Sequence, residues 1–308
     1  MYIAGIDAGG SKTECIIWDT DRQEIVAQSK TGPANYQVVG LDRAVGEIKQ
    51  ALKLALDSVG LQSISLVGLG IAGAGREKDI NRLNSKLSNI SWINNFHITD
   101  DGRTALLGAT GGRSGIILIA GTGSIAYGLR KDGGFIRSGG WGPILGDEGS
   151  GFWLGLRALK LIIRASEGRG QETSLSDIVK EKLEIDNLSQ LVPFIHKGKL
   201  PRKKIAALVP SIIKEAENND QVAKNLVKTG VKELLLLVKS IKAGLDYKPD
   251  NISVSGGLFN NHYFYQDFAE RVENSLNLTT HKPFYSPSHG AFFYARRKNK
   301  GDEDINGS

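Results

Sequence analysis

Two stretches of the chain put carboxylates directly after apolar runs. Asp7 follows YIAGI and leads at once into Gly9, Gly10, Ser11 and Lys12, and Asp100 and Asp101 follow NFHIT. A turn rich in glycine lets backbone N–H groups approach a phosphate closely, because no side chain stands in the way and positive φ is allowed. A carboxylate just before such a turn can hold Mg²⁺ directly or through water, and Lys12 can offset phosphate charge or point to solvent. As a purely structural group, Asp7 would cap the turn. A carboxylate at the end of a later strand can accept the proton of a hydroxyl under attack on a phosphoryl group. Asp100 and Asp101 both qualify by position, and either can also cap the helix that begins near Arg103.

A second glycine-rich turn, Gly121, Thr122, Gly123 and Ser124, follows the apolar run GIILIA. A plain hairpin would use the same residues. Two such turns, each after a buried strand and in matching places of a repeat, point instead to two loops clamping one polyphosphate. The run SVSGGLF at 253–259 ends a strand in Gly256 and Gly257, where a flat group such as adenine can lie against bare backbone.

The elements that must position these residues are legible from periodicity. Residues 2–7, 14–19 and 24–28 read as three strands joined by tight turns. Residues 42–58 place Val45, Ile48, Leu52 and Leu56 on one helical face, with Asp42 as the expected N-cap. Strands over SLVGLGIA and NFHIT follow, giving the order three strands, helix, strand, helix, strand. At residue 115 the pattern restarts, and GIILIAGTGSIAYGLRKDGG repeats the logic of YIAGIDAGGSKTECIIWDTD at a period of roughly 110 residues. Residues 150–245 read as largely helical, including one amphipathic run from Lys203 to Gly244. The tail after Lys298 is polar and is expected to fray.

The 308 residues suffice for about two domains. No apolar stretch approaches the roughly 18 residues of a membrane span, and no signal-peptide pattern precedes the first strand. The one cysteine, Cys15, excludes an internal disulfide and any cysteine-held cluster within one chain, which suits a reducing cytoplasm. The net charge is +6 and the isoelectric point about 9.2. The basic residues are nonetheless scattered, with short clusters only at 198–204 (GKLPRKK) and 296–300 (RRKNK), and no aromatic and basic interleaving suited to stacking bases. No nucleic-acid partner is expected, and these clusters read as solvated faces or as an aid in drawing in a small anion.

GIDAGGSKT, GPANYQVVGL, GLGIAGAG, HITDDGRTAL, IILIAGTGS, SGGWGPILGDEGSGFW, SVSGGLF and SPSHGAFFYA run in this order from residue 5 to about 295. Together they resemble the phosphate-1, phosphate-2 and adenosine motifs of the sugar kinase, heat-shock chaperone and actin superfamily. Within it the chain is similar to the N-acetylglucosamine kinase and BadF/BadG ATPase group and to archaeal broad-specificity hexokinases. The resemblance implies an α/β fold of two ribonuclease H-like domains with an interdomain cleft. The N-terminal domain would span 1–112 plus 289–308 and the C-terminal domain 113–288. It implies ATP and Mg²⁺ as cofactors, a small sugar as substrate and a cytoplasmic homodimer. It assigns Gly9, Gly10, Ser11, Lys12, Gly121, Thr122, Gly123, Ser124, Gly256 and Gly257 to the nucleotide and Asp7 to the metal. Its register, an Asp followed by Gly and then a helix containing Ala-Leu, selects Asp101 as general base, with Asp100 the runner-up. Asn35, Gly139, Gly140, Trp141 and Asp147 match sugar-contacting positions; Glu148 and Ser150 match less closely, and Trp141 could instead lie in the core.

The implied reaction is ATP-dependent phosphorylation of a hexose or hexosamine at its 6-hydroxyl. GDEGSGFW has nearly the N-acetylglucosamine kinase form while GPANYQVVGL is nearer the hexokinase form, which implies a pocket accepting glucose and a 2-amino or 2-acetamido sugar. Two other readings are open at this point. An ATPase activator would need cysteines for an iron–sulfur cluster, and Cys15 lies inside the second strand. A non-catalytic sugar or nucleotide sensor would have no need of a carboxylate at 101.

Overall fold

A computed structural model describes residues 1–196 and 201–300. The chain divides into two compact units, 1–115 with 129–135 and 283–308, and 116–128 with 136–282. The sequence reading sets the boundaries at 112/113 and 288/289 and does not assign 129–135 to the first unit.

The first unit is built on strands β1 (Tyr2–Ala8), β2 (Thr13–Asp19), β3 (Glu24–Thr31), β4 (Leu66–Ile71) and β5 (Phe96–Asp100), in the order β3-β2-β1-β4-β5. Its helices are α1 (Tyr36–Val39), α2 (Leu41–Ser58), α3 (Glu77–Leu87) and α4 (Asp101–Thr110), joined by α13 (Pro287–Lys300) from the far end of the chain. Side chains alternate across β1. Ala4 and Ile6 face one way and join Ile48, Leu52 and Leu56 of α2, all fully buried. Ile3 faces the other way and joins Ile16, Leu66, Phe292 and Ala295 of the α13 side. Burying each large aliphatic side chain stabilises the fold by about 1.5–3 kcal/mol. On the α13 face β4 carries Gly68, where any side chain would collide with the backbone oxygen of Ala291. The glycine is therefore what lets α13 lie directly on the sheet. Asp42 does not cap α2: the N-cap is Gly40, and Asp42 sits in the first turn, pairing with Lys86 at 2.7 Å.

The second unit repeats the plan with β6 (Gly115–Ala120), β7 (Ser124–Leu129), β8 (Phe135–Gly139), β9 (Asn251–Ser255) and β10 (Thr279–His281), in the order β10-β9-β6-β7-β8. Read from the other edge this is the order of the first sheet, so the expected repeat holds at the level of topology. Its helices are α5 (Gly142–Leu145), α6 (Gly151–Ser166), α7 (Leu175–Leu183), α8 (Leu191–His196), α9 (Arg202–Ala206), α10 (Val209–Glu217), α11 (Gln221–Gly244) and α12 (His262–Leu276). One core joins Ile116 and Leu118 of β6 to Leu154 of α6, Leu234 and Val238 of α11, and Phe264 and Phe268 of α12. The amphipathic run from Lys203 to Gly244 is helical as expected and is divided among three helices. Pro210 sits in the first turn of α10, where its missing N–H costs nothing, and Asn219 at φ +73° turns the chain before Asp220 caps α11. At the C-terminus α13 includes Asn299 and Lys300, the first two residues of the tail expected to fray; 301–308 lie outside the described residues, as does part of the 198–204 cluster.

Candidate functional site

In the first unit the parallel strands β1, β4 and β5 deliver their carboxyl ends to one edge of the sheet. Asp7 is opposite Gly70 in the β1–β4 register, and Ile71 is opposite Asp100 in the β4–β5 register. Open α/β sheets bind ligands along this edge. The turn after β1 is closed by the Gly9 N–H donating to the Lys12 oxygen at 3.0 Å. The Gly9 oxygen in turn accepts from the N–H groups of Ala34 and Asn35, at 2.9 and 3.1 Å. That carbonyl fastens the GPANY loop to the phosphate-type turn. Asn35 also caps α1 through its side chain, which accepts from the Gln37 N–H, while Gln37 Nε2 donates to the Gly73 oxygen at 2.9 Å. Three loops from β1, β3 and β4 thus form one connected rim.

The two adjacent aspartates have different duties. Asp100 caps α4: Oδ1 accepts from the Arg103 N–H at 3.0 Å, and the Arg103 guanidinium pairs with it at 3.1 Å. Asp101 begins the helix with its side chain at the surface. Its carboxyl is raised above the ordinary carboxylate range, first by the hydration it loses among neighbouring atoms and second by the charge of Asp100. Asp7 is raised to about 7, by burial first, then by Asp101 and Glu14, with Lys12 opposing. Glu14 is opposite Asp7 across the β1–β2 pair and forms ion pairs with Lys12 and Lys30. The edge is thus a knot of carboxylates that repel one another, and a bound cation would relieve that repulsion. Ser11 is exposed, and Lys12 is already engaged by Glu14.

The second unit offers a different edge. Its turn after β6 is closed by the Gly121 N–H donating to the Gly123 oxygen at 2.9 Å, and the start of α6 is fastened to it through Gly151 N–H to Gly121 oxygen at 2.8 Å and Phe152 N–H to Thr122 oxygen at 3.2 Å. Gly256 ends β9 at φ +102°, with the Ala120 oxygen where a Cβ would be. Only glycine combines that φ with that approach. A pocket of about 440 Å³ is lined by Gly121, Thr122, Gly151, Lys203, Gly257 and Asn261, among others. Bare backbone from two glycine-rich segments, one lysine and apolar walls from α10 suit a flat heterocycle carrying phosphates.

Ser124 is not among the free groups: it is buried, and its hydroxyl donates to the Glu148 oxygen at 2.7 Å. Ser150 likewise caps α6, accepting from the Trp153 N–H. Asp147 is 5% exposed and takes an unusual φ of +57°. Its carboxylate pairs with Arg202 at 3.0 Å and faces Gly123. Burial raises its carboxyl and Arg202 opposes that rise. Gly139 and Gly140 take positive φ, and the Gly140 N–H donates to the Ser124 oxygen. Trp141 is 65% exposed, so it is not core; the Arg137 guanidinium lies 4.8 Å from its ring centre. Sequence reasoning missed Arg202, Lys203 and Asn261. The first two lie in the cluster read as a solvated face or as an aid in drawing in a small anion, and Pro201 just before a short helix was the available signal for their placement.

Among the described residues no group of three or more His, Cys, Asp or Glu side chains is gathered as a metal cage, and no helix is long and apolar enough to cross a membrane. Cys15 is buried within β2, with 1% exposure.

The sequence matches the BadF/BadG/BcrA/BcrD ATPase family over residues 4–295. It is 32% identical to the N-acetylmuramic acid/N-acetylglucosamine kinase of Clostridium acetobutylicum, over 87% of this chain and 89% of that one. It is 30% identical to the N-acetyl-D-glucosamine kinase of Dictyostelium discoideum, over 96% and 98%. Among solved structures, a putative N-acetylglucosamine kinase from Chromobacterium violaceum superposes with a TM-score of 0.77 at 26% identity, covering 94% of this chain and 97% of that one.

Proposed function

The chain belongs to the BadF/BadG/BcrA/BcrD ATPase family and is an ATP-dependent sugar kinase of it, and we propose that it transfers the γ-phosphoryl group of ATP to the 6-hydroxyl of a hexosamine with Asp101 as general base. The observation that carries this reading is the division of labour at the start of α4. Asp100 is consumed by capping and by Arg103, whereas Asp101 is left at the surface with its carboxyl raised above the ordinary carboxylate range. A raised carboxyl is the stronger proton acceptor once ionised. Asp101 takes the hydroxyl proton as the sugar oxygen attacks phosphorus, and the bond from phosphorus to the bridging oxygen of ADP breaks.

Asn35 and the rim it fastens hold the sugar, with Gly139, Gly140, Trp141 and Asp147 as further contacts. The turns at Gly9, Gly10, Ser11 and Lys12, and at Gly121, Thr122 and Gly123, receive phosphates through backbone N–H groups. Gly256 and Gly257 receive the adenosine. The donor set at Asp7 fits Mg²⁺, which takes one or two carboxylates and otherwise prefers water and substrate phosphates. A bound Mg²⁺ would neutralise phosphate charge there. An ATPase activator of the iron–sulfur kind is disfavoured by the single buried cysteine. A homodimer in the cytoplasm belongs to the same reading, and sedimentation equilibrium tests the dimer.

The decisive experiment measures ADP release and sugar 6-phosphate, the latter by ³¹P NMR, with N-acetylglucosamine, glucosamine and glucose. The mixed motif forms lead us to expect turnover of glucose and of at least one of the amino sugars, with kcat/KM within about 100-fold. A gap of about 10⁴ would mean a dedicated pocket with buried partners for one substituent. ADP release without sugar phosphate would overturn the kinase reading.

A further inference from the structure

The second unit carries a groove of about 590 Å³ that shares no lining residue with the pocket beside Gly121 and Gly257. Arg157, Lys160 and Arg164 enter it from α6, Arg169 from the loop that follows, and Gln171 and Asn225 complete its polar wall. The spacing of three, then four residues puts the three α6 cations on one helical face, spread over about 10 Å along the axis. Among the described residues none of the three has a carboxylate partner. Arg157 lies over the Trp153 ring at 4.0 Å, and Glu167 is tied to Arg169. The sequence deepens the imbalance: neither 151–166 of α6 nor 221–232 of α11, the two helices that wall the groove, contains a single Asp or Glu.

Exposed cations on a helix are ordinarily interleaved with carboxylates, because i,i+4 pairs of opposite charge stabilise it and like charges oppose it. Here repulsion is left unrelieved inside a concavity of the size that holds small ligands. Guanidinium forks favour the geometry of phosphoryl oxygens. Charges strung over about 10 Å ask for more than one anionic centre. The side-chain amides of Gln171 and Asn225 can bond a polar body between or beside those centres.

We propose that this groove is a second ligand site, which binds a small molecule carrying two or more phosphoryl groups on a polar body. Nucleoside diphosphates and sugar bisphosphates share that chemistry. The site is independent of the kinase reading, since it uses none of the residues assigned to transfer.

The test is calorimetric titration of the whole chain, saturated with ADP so that the nucleotide pocket does not report. The titrants are inorganic pyrophosphate, uridine diphosphate, fructose 1,6-bisphosphate and citrate. One pyrophosphate per chain should bind with a Kd below about 1 mM, and Lys160→Gln with Arg164→Ala should weaken it at least tenfold, about 1.4 kcal/mol. Turnover of ATP and sugar without added anion should be unchanged in that variant. Arg157→Ala, which also removes the stack on Trp153, should weaken binding further. No binding, equal binding in the double variant, or citrate binding as tightly as pyrophosphate would each overturn the site. Uridine diphosphate or the bisphosphate should bind more tightly than pyrophosphate, and whichever does identifies the body recognised. If neither does, the role of Gln171 and Asn225 is wrong.

Discussion

The two units share one strand order and differ in what they set at the carboxyl ends of their strands. The first gathers Asp7, Glu14, Asp100 and Asp101, and burial first and neighbouring charges second push Asp7 and Asp101 upward. The second has no carboxylate at its matching strand ends: β6 ends in Ala120 where β1 ends in Asp7 and Ala8, Gly121 follows β6 as Gly9 follows β1, and Gly256 follows β9. Beside its turn lie Lys203 and the ion pair of Arg202 with Asp147. A common scaffold thus presents a carboxylate-rich edge in one copy and a glycine-rich edge in the other. Topology is tolerant of the residues at strand ends, because those residues contribute little to the core; chemistry can diverge there while the packing of Ile6 or Leu118 is retained.

The largest expected effect breaks the acidic edge. Asp101→Asn should lower kcat by about 10³-fold or more while nucleotide binding, measured by calorimetry, stays within about twofold. Asp100→Asn should instead act on stability, costing about 1 kcal/mol in urea unfolding through the weakened cap and Arg103 pair. Reversal of the two outcomes would move the base by one residue. The glycine edge should break in the opposite sense. Gly256→Ala must fit a Cβ against the Ala120 oxygen at φ +102°. It should weaken nucleotide binding at least tenfold and cost about 1–3 kcal/mol of stability, with sugar binding unchanged. Equal loss of both ligands would contradict the separation of duties.

How much of this was readable beforehand follows from what each residue does alone. The places of Asp7, Gly121 and Gly256 at strand ends were legible because the apolar runs before them mark those ends in local sequence. The strands β1 to β7 and β9 were legible because their apolar runs have one satisfying arrangement, whereas the short, partly buried β8 and β10 carry no such run. Asp42 was misread because the cap is decided by backbone φ and ψ at Gly40, which composition does not record. The bond of the Ser124 hydroxyl was not legible, because the carbonyl it donates to, on Glu148, is 24 residues away. Arg202 was hidden for the same reason. Its partner Asp147 is 55 residues distant, and only the tertiary fold turns a basic cluster into one arm of an ion pair.

The electrostatics of the acidic edge can be read without substrate. Asp7 goes from an ordinary value of 3.8 to about 7 on folding, so the folded chain binds its proton more tightly than the unfolded chain does. Stability therefore falls as pH rises from about 4 to about 7 and is level above that. Asp7→Asn removes this slope. It should be near neutral in thermal unfolding at pH 4 and stabilising by about 1–4 kcal/mol at pH 8. A destabilised Asp7→Asn at pH 8 would mean that the charged carboxylate is favoured by the fold, contrary to its burial.

The smallest expected effect sharpens the comparison most. Asp7 is raised by burial first, by Asp101 second and by Glu14 third. Removing a like charge lowers a carboxyl's pKa in proportion to the repulsion lost. Asp101→Asn and Glu14→Gln should therefore both move the Asp7 midpoint down, as followed by carboxyl ¹³C NMR, and Asp101→Asn should move it further. Glu14→Gln has an added consequence, because Lys12 and Lys30 lose the carboxylate they pair with. Lys12 already opposes the rise of Asp7, and once released it should oppose it more strongly. Adding Lys12→Gln to Glu14→Gln separates the two contributions: the Asp7 midpoint should move back up, and the distance it returns measures Lys12 alone. An Asp7 midpoint unmoved by all three changes would leave burial as the sole cause, and the acidic edge would then be a matter of desolvation, with no coupled network of carboxylates to set against the glycine edge of the second unit.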